Sequence, residues 1–295
     1  MRIGIFGNNY QTKKQKFIKL FFEHLLKLGA KIWIDRPFYN YLFKYFAFVP
    51  KAEGFISKKP LSLDIVFSIG GDGTFLRTAN WVGHRNIPIL GINTGHLGFL
   101  ADISTIEIIE VLNEIFQSKY SVEERSLLQI EFASQYCYMK NYALNEIAIL
   151  KRDTSSMISI STYLNELFLT KYLADGLLLA TPSGSTAYNL SVNGPIIVPQ
   201  AHNFVLSPVA PHSLNVRPLV IPEDYKMRFI VKSRSKNFLV SLDGRSRIFP
   251  SGSIFKAQKA NFTIKIAKRL NHNFYDTLRE KLSWGGDTSK YKMIN

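Results

Sequence analysis

The stretch Asp64-Ile65-Val66-Phe67-Ser68-Ile69-Gly70-Gly71-Asp72-Gly73-Thr74 sets an apolar run of strand length against three glycines and an acid. Thr74 then opens a segment of helical character, Phe75 to Trp81. A strand that feeds a glycine turn into a helix start is a ready place for phosphate, because bare N–H groups and the helix dipole point at the ligand. Asp72 is out of keeping with such a site, since its charge repels phosphate. It fits if it faces a metal ion or takes a proton from an attacking hydroxyl. A tight turn with a polar tip accounts for the same residues without any ligand.

Outward from this stretch, strands and helices alternate. Residues 2–7 make an apolar first strand that ends in the polar turn Gly7-Asn8-Asn9. Phe17, Phe21, Leu25 and Leu28 stand at helical spacing and predict a helix stopped by Gly29. Lys31 to Ile34 is a second short strand. Residues 37–60 crowd Phe38, Tyr39, Tyr41, Phe43, Tyr45, Phe46 and Phe48 between two prolines, and are expected to form a helix whose aromatic face serves a core or a subunit contact. After the Asp72 turn and its helix comes another strand, Ile87 to Ile92. The alternation predicts a doubly wound, mostly parallel α/β sheet, with ligands outside the carboxyl ends of its strands. A second glycine-rich segment, Gly91-Ile92-Asn93-Thr94-Gly95-His96-Leu97-Gly98-Phe99, falls at the same end. The dinucleotide fingerprint G-x-G-x-x-G and the P-loop G-x-x-x-x-G-K-[ST] are both absent.

Ser104 to Gln117 is expected to be a helix opened by a capping box of Ser104 with Glu107. From Tyr120 to about Lys268 the texture changes to short alternating runs, such as Leu127–Phe132, Met157–Leu164, Met227–Val231 and Phe262–Ile266, which predict a β-rich domain. Asn273 to Trp284 returns to helical spacing with Phe274, Leu278 and Leu282, a C-terminal helix able to pack back on the first domain. The expected division is therefore an α/β nucleotide-binding domain over 1–101, joined by the C-terminal segment 272–295, and a β-rich domain over 102–271.

Composition sets outer limits. The chain has 295 residues, 46% of them apolar, and no apolar run approaches the ~20 residues of a membrane span. Its start is too quickly polar for a signal peptide. Cys137 is the only cysteine, so no intrachain disulfide exists and a reducing cytoplasm is the expected compartment; a small buried hydrophobe is the ordinary reading of that residue. The formal charge of +15, from 37 Lys+Arg against 22 Asp+Glu, favours anionic partners without choosing among nucleotides, polyphosphate, nucleic acid and an acidic membrane. The clusters Lys13-Lys14-Gln15-Lys16 and Lys58-Lys59 are short enough to be solvated faces.

Within the second domain, Asn145-Glu146 could read an adenine edge and a ribose diol, although such a pair near a strand end is usually just solvated. In Asp175-Gly176-Leu177-Leu178-Leu179-Ala180-Thr181-Pro182-Ser183-Gly184-Ser185-Thr186-Ala187-Tyr188-Asn189, an apolar strand ends in a hydroxyl-rich turn that enters a helix. Those hydroxyls suit phosphate or ribose oxygens, or they merely cap the helix. Tyr188 could stack on a base or simply pack, and Asp243-Gly244 resembles a hairpin turn. No paired-histidine or CxxC metal box and no G-x-S-x-G elbow is present, and no metal ligand is assigned. Of six scattered histidines only His96, in a glycine-rich loop, stands near the candidate chemistry.

Together these segments resemble the ATP-NAD kinase family. Gly70-Gly71-Asp72-Gly73-Thr74 is similar to its G-G-D-G-T signature, Asn93 to Phe99 to its second glycine loop, and Asn145-Glu146 to its N-E motif. Asp175-Gly176 through Tyr188 resembles its D-G…T-P-[ST]-G-S-T-A-Y signature, and Asn273 to Gly285 resembles the tail of bacterial members. The motifs span residues 70 to 285 in the family's order. G-G-D-G alone is shared with diacylglycerol-type lipid kinases, and a basic nucleic-acid-binding protein would fit the charge; the later motifs favour neither.

The resemblance implies phosphorylation of the 2′-hydroxyl of the adenosine ribose of NAD to give NADP. ATP, or polyphosphate in some members, would be the donor, with Mg²⁺ or another divalent cation carried by the phosphates. It assigns Asp72 as the base, Gly71, Gly73 and Thr74 to the phosphates, Phe99 to the adenine, and Asn145 and Glu146 to the adenosine half. Asp175, Thr186, Ala187, Tyr188 and Ser191 would line the rest of the NAD site, most of it in the β-rich domain, with Asp243 a further acidic position. It also implies a homodimer or homotetramer in which a neighbouring subunit completes the site, with no nucleic-acid or membrane partner. One departure stands out: Leu173 occupies the place where many relatives carry Arg two residues before the Asp.

Overall fold

The computed structural model describes residues 1–9, 14–57, 61–95, 97–132, 141–152, 156–270 and 272–286. His96, Cys137, Lys13 and the pair Lys58-Lys59 lie outside these residues. In chain order the elements begin β1 (Arg2–Gly7), α1 (Gln15–Lys27), β2 (Lys31–Ile34), α2 (Arg36–Phe46), β3 (Gly54–Phe55), β4 (Ile65–Ile69) and α3 (Asp72–Val82). Then come β5 (Ile89–Asn93), β6 (Ile103–Ser104), α4 (Ile108–Phe116), β7 (Tyr120–Phe132), β8 (Tyr142–Ala143) and β9 (Glu146–Lys151). They continue with β10 (Ile158–Leu164), β11 (Leu167–Ala174), β12 (Gly176–Ala180), the one-turn helix α5 (Tyr188–Ser191) and β13 (Asn203–Val209). The last are β14 (Leu219–Pro222), β15 (Met227–Ser233), β16 (Asn237–Leu242), β17 (Arg245–Pro250), β18 (Ile254–Arg269) and α6 (Phe274–Leu282). The chain divides into two compact units, Met1–Glu123 with Lys265–Asn295, and Glu124–Ile264.

In the first unit β5, β4, β1, β2 and β3 lie side by side in that order, every pair parallel. The end of β18 adds beside β5, with Ile266 opposite Ile89. All residues of β4 and β5 are buried, as a strand covered on both faces must be. Ile18, Phe21, Phe22 and Leu25 of α1 enter one core with Phe38, Tyr41, Leu42 and Phe46 of α2. The aromatic-rich segment is therefore mainly core, with Phe43 and Tyr45 left on the surface. The strand order reverses between β1 and β4, so the crevice at their carboxyl ends is the topological switch point where ligands of such sheets sit. Gly70 to Asp72 leave β4 there, and the Asn8 N–H, just past β1, donates to the Ile69 carbonyl at 2.9 Å.

Two helix starts differ from the expectation. α3 begins at Asp72, with Gly71 as its extended N-cap, so Asp72 belongs to the helix's first turn and not to the tip of a loop. α4 begins only at Ile108, because Ile103-Ser104 are extended and pair with Ile92-Asn93. Ser104 still donates from N and Oγ to Glu107 Oε2, at 3.3 and 2.9 Å, as half of the expected box. Ile108, Val111, Leu112 and Ile115 pack into the first core, which places α4 in the first unit and the division after Glu123 instead of after residue 101.

The second unit is built from two antiparallel arrays. One runs β14-β13-β12-β9-β16-β17 and the other joins β11, β10, β15 and β18. Alternate residues of both, among them Ile147, Ile149, Ile158, Ile160, Leu177 and Phe238, meet in one core, the arrangement of a β-sandwich. β12 is central and buried throughout.

Phe67 is fully buried in β4, with its ring centroid 5.9 Å from that of Phe21. Phe67→Ala removes this contact directly behind the Asp72 turn. It is expected to cost about 3–5 kcal/mol, read as an earlier urea midpoint by circular dichroism.

Candidate active site

Asp72 gathers the second glycine loop. Its Oδ2 accepts the Phe99 N–H at 3.0 Å, and its Oδ1 accepts those of Leu100 and Ala101 at 3.1 and 3.0 Å. The loop closes on itself through Gly98 N–H to Ala101 O at 3.0 Å. A side chain at Gly98 would place its Cβ 2.0 Å from Asp72 Oδ1, so only glycine lets the carboxylate reach these three N–H groups. Thr74 is buried, and the Thr74 N–H closes the first turn of α3 on Gly71 O at 2.9 Å. Behind the loop, Asp102 is buried in an ion pair with Lys268, with His272 Nε2 3.6 Å from its carboxylate.

The C-terminal helix belongs to this arrangement. Asn273 caps α6 and forms a reciprocal capping box with Asp276. Phe274 then lies with its ring centroid 6.0 Å from that of Phe99. Two turns later Lys281 puts Nζ 3.8 Å from Asp72 Oδ2 and 4.7 Å from the Phe99 ring centre. Lys281 was not among the expected site residues. The sequence signals for it are its place seven residues after Phe274, on the same helix face, and its position inside the Asn273–Gly285 stretch that resembles the tail of bacterial members.

In the second unit an aspartate does the same for another loop. Asp243 sits at φ 48° and Gly244 at φ 80°, the paired left-handed conformation of a tight hairpin turn between β16 and β17. The Asp243 carboxylate accepts the N–H groups of Leu144 and Asn145 at 2.8 Å each and of Glu146 at 3.2 Å. The hairpin reading describes the turn, and the carboxylate serves the 144–146 backbone. Asn145 Oδ1 and Glu146 Oε2 are buried and have no hydrogen-bond partner among the described residues, an arrangement that invites donors from a ligand. Burial, with the Asp243 charge second, pushes the Glu146 carboxyl up to about 7, against the Tyr188 backbone N–H that pulls it down. Burial also raises Asp243, against its three N–H partners and Arg245.

The hydroxyl-rich turn meets this loop because β12 ends beside the start of β9, with Ala180 opposite Glu146. The Thr181 N–H donates to Asn145 O at 2.9 Å, and a Cβ on Gly184 would stand 2.0 Å from that same carbonyl oxygen. Most hydroxyls here serve the backbone. Thr181 Oγ1 donates to Leu144 O, Ser185 Oγ to Pro182 O at 2.7 Å, and Thr186 Oγ1 to Ser183 O at 3.4 Å. The turn leads into a four-residue 3₁₀ segment, Ser183–Thr186, and then the single turn α5, so the helix it enters is short. Glycine, proline and serine break the pattern before a longer helix can nucleate. Ala187, Tyr188 and Ser191 follow, with the Tyr188 ring partly exposed.

Asp175 stands apart. It precedes Gly176, which pairs with Leu150, and β12 is five residues long, so Asp175 lies about 17 Å along the strand from the Asn145-Glu146 end. Its carboxylate pairs with Lys151 Nζ at 2.7 Å. Leu173, near it on β11, is half-exposed and opposite Ser159. Among the described residues no three His, Cys, Asp or Glu side chains come together to hold a metal ion.

The raised Glu146 carboxyl has a measurable consequence. An acid whose pKa is higher in the fold than its ordinary 4.5 stabilises fully below that value, and the contribution is lost as pH rises through about 7. Glu146→Gln is therefore expected to flatten the fall in melting temperature across that window. Above it the variant gains up to about 3 kcal/mol over the parent protein, at about 1.4 kcal/mol for each pH unit between the two values. Thermal melts from pH 5 to 9 check this.

The chain matches the family models for the ATP-NAD kinase N-terminal domain over residues 3–120 and C-terminal domain over residues 144–268. It is 51% identical over 288 residues to an NAD kinase of Bacteroides fragilis, covering 98% of this chain and 99% of the relative. An NAD kinase of Porphyromonas gingivalis is 45% identical over 284 residues, 96% of this chain and 98% of the relative. Among solved structures, yeast NADH kinase complexed with NADH superposes with a TM-score of 0.86 at 21% identity, covering 100% of this chain and 90% of that one. An NAD kinase from Archaeoglobus fulgidus in complex with ATP gives 0.76 at 24%, covering 96% and 99%. These two likenesses establish the fold. With both family domains present in order and relatives matched along nearly the whole length, the chain belongs to the ATP-NAD kinase family.

Proposed function

We propose that the protein transfers the terminal phosphoryl group of ATP to the 2′-hydroxyl of the adenosine ribose of NAD, giving NADP. The observation that carries this reading is the placement of Asp72. It heads α3 at the switch point of the parallel sheet and holds the second glycine loop in place beside it. The bond from the 2′-oxygen to the γ-phosphorus forms as the bond from that phosphorus to the bridging oxygen breaks. ADP leaves with the electron pair, and the hydroxyl proton passes to Asp72 Oδ2, the oxygen with only one N–H partner.

Gly71 and Gly73 would bring backbone N–H groups to the phosphates, Thr74 would fix that turn through its own N–H bond to Gly71 O, and Phe99 would lie along the adenine. Asn145 and Glu146 would offer their unpartnered oxygens to amino and hydroxyl donors of the adenosine half. Thr186, Ala187, Tyr188 and Ser191 would frame the rest of the dinucleotide. Asp243 would act by holding the 144–146 backbone. Asp175, at the far end of β12, suits a contact with a dinucleotide bound to a second copy, in keeping with a homodimer or homotetramer that sedimentation equilibrium would detect. A divalent cation would arrive with the triphosphate, whose charge it neutralises, because Mg²⁺ is usually held by one or two carboxylates plus substrate phosphates. A cytoplasmic location goes with this chemistry, and among the described residues no helix is long and apolar enough to cross a membrane.

Phosphoryl transfer depends on positioning and charge stabilisation more than on covalent chemistry. Incubation with NAD, ATP and Mg²⁺, read by an NADP-specific coupled dehydrogenase, tests the assignment; the same assay with NADH and with polyphosphate defines acceptor and donor. Asp72→Asn is expected to lose at least about two decades in kcat. Its amide nitrogen would also confront a backbone N–H, so the 98–101 loop loosens and KM for NAD rises as well. Near-normal turnover in this variant would remove Asp72 from the role of base.

A further inference from the structure

We infer that Lys281 is a second charged group of the phosphoryl-transfer site, which rests against Asp72 without nucleotide and turns to the transferred phosphoryl group when the donor binds. The inference rests on the reading of the protein as a kinase acting at Asp72. Its basis is the position of the ammonium, 3.8 Å from Asp72 Oδ2 and 4.7 Å above the Phe99 ring.

A purely structural role explains this position poorly. At 3.8 Å the contact is an ion pair too long for a hydrogen bond. Asp72 does not need it, since three backbone N–H groups already engage the carboxylate. Both side chains are about a third exposed (32% and 30%), and ion pairs with such access to water contribute roughly 0–1 kcal/mol. α6 is held by other means, through its Asn273 cap and the burial of Thr277 and Leu278. What α6 gains from Lys281 is therefore small, whereas the glycine turn gains a positive charge on a flexible stem anchored to a fixed helix.

The charge is also timed to the reaction. While Asp72 is ionised, Lys281 is partly neutralised by it. As the 2′-hydroxyl proton moves onto Asp72, that nearby counter-charge disappears and the ammonium, already turned to the phosphoryl group, attracts its oxygens more strongly. Its attraction to the substrate then rises between ground state and transition state, the condition under which binding energy raises kcat. Lys281 neither gives nor takes a proton in the step and forms no covalent bond; its contribution is electrostatic.

Lys281→Gln and Lys281→Arg test the proposal, with circular dichroism to verify folding. The Gln variant is expected to lose about 10²-fold in kcat, with KM for NAD changed by less than about threefold. Its melting temperature should stay within about 2 °C. The Arg variant should recover to within about tenfold of the parent rate, because the charge is kept while its geometry changes. Inorganic tripolyphosphate should raise the melting temperature of the parent protein and much less that of Lys281→Gln. A Gln variant that keeps kcat within about threefold and full tripolyphosphate protection overturns the inference while leaving the kinase reading intact. A parent protein that forms no NADP overturns both.

Discussion

An aspartate that collects three successive backbone N–H groups is the constraint on which the candidate loops of each unit depend. Asp72 does this for Phe99, Leu100 and Ala101, and Asp243 for Leu144, Asn145 and Glu146. Loops that leave a sheet edge lose their ladder partners, and buried N–H groups must find others. A carboxylate is suited to the task because an ionised one accepts at about four lone-pair sites and donates nothing. The two acids reach their posts by different routes. Asp72 is fixed by the first turn of α3, whereas Asp243 is fixed by a hairpin turn whose left-handed conformation it tolerates.

Charge brought in to organise a loop also acts on its neighbours. Asp243 holds the 144–146 backbone and, by its proximity, adds to the burial that lifts the Glu146 carboxyl to about 7. Glu146 can then stand on either side of its titration near neutral pH, accepting from a hydroxyl when ionised and donating to an oxygen when protonated. Around Asp72 the surroundings differ, because Lys281 supplies a cation where Glu146 meets an anion. The same device thus yields one acid facing a positive group and one acid beside another acid.

The parallel sheet was legible because its signals are local. Strand-length apolar runs ending in Gly7, Gly70 and Gly91-Ile92-Asn93 gave both the strands and the end where ligands belong. Helix starts were less legible. Glycines at 71 and 73 argue for a turn on propensity, yet the first turn of a helix tolerates them, and α3 starts two residues earlier than Thr74. The roles of Asp243 and Lys281 could not be read from the chain, since the partners of Asp243 lie 97 to 99 positions away and Asp72 is more than two hundred residues before Lys281. Asp175 shows the opposite difficulty. It shares a motif with Thr181 to Tyr188, but the five residues of β12 carry it to the other end of the strand.

The clamps also limit what the glycine loops can offer a phosphate. The N–H groups of residues 99–101 are already given to Asp72, so they are not available to cradle an anion while that carboxylate is in place. The N–H groups of Asp72 and Gly73 lie ahead of the first closed turn of α3, where a helix has no internal partner for them. Those few donors point from the same turn that carries an ionised acid, and the acid offsets part of their attraction for phosphate. A site arranged in this way favours anionic oxygens more once the acid has taken up a proton than before. The acid that tethers the loop would then do more than accept a proton: it would make the strength of the surrounding positive field depend on whether the hydroxyl has yet given its proton up.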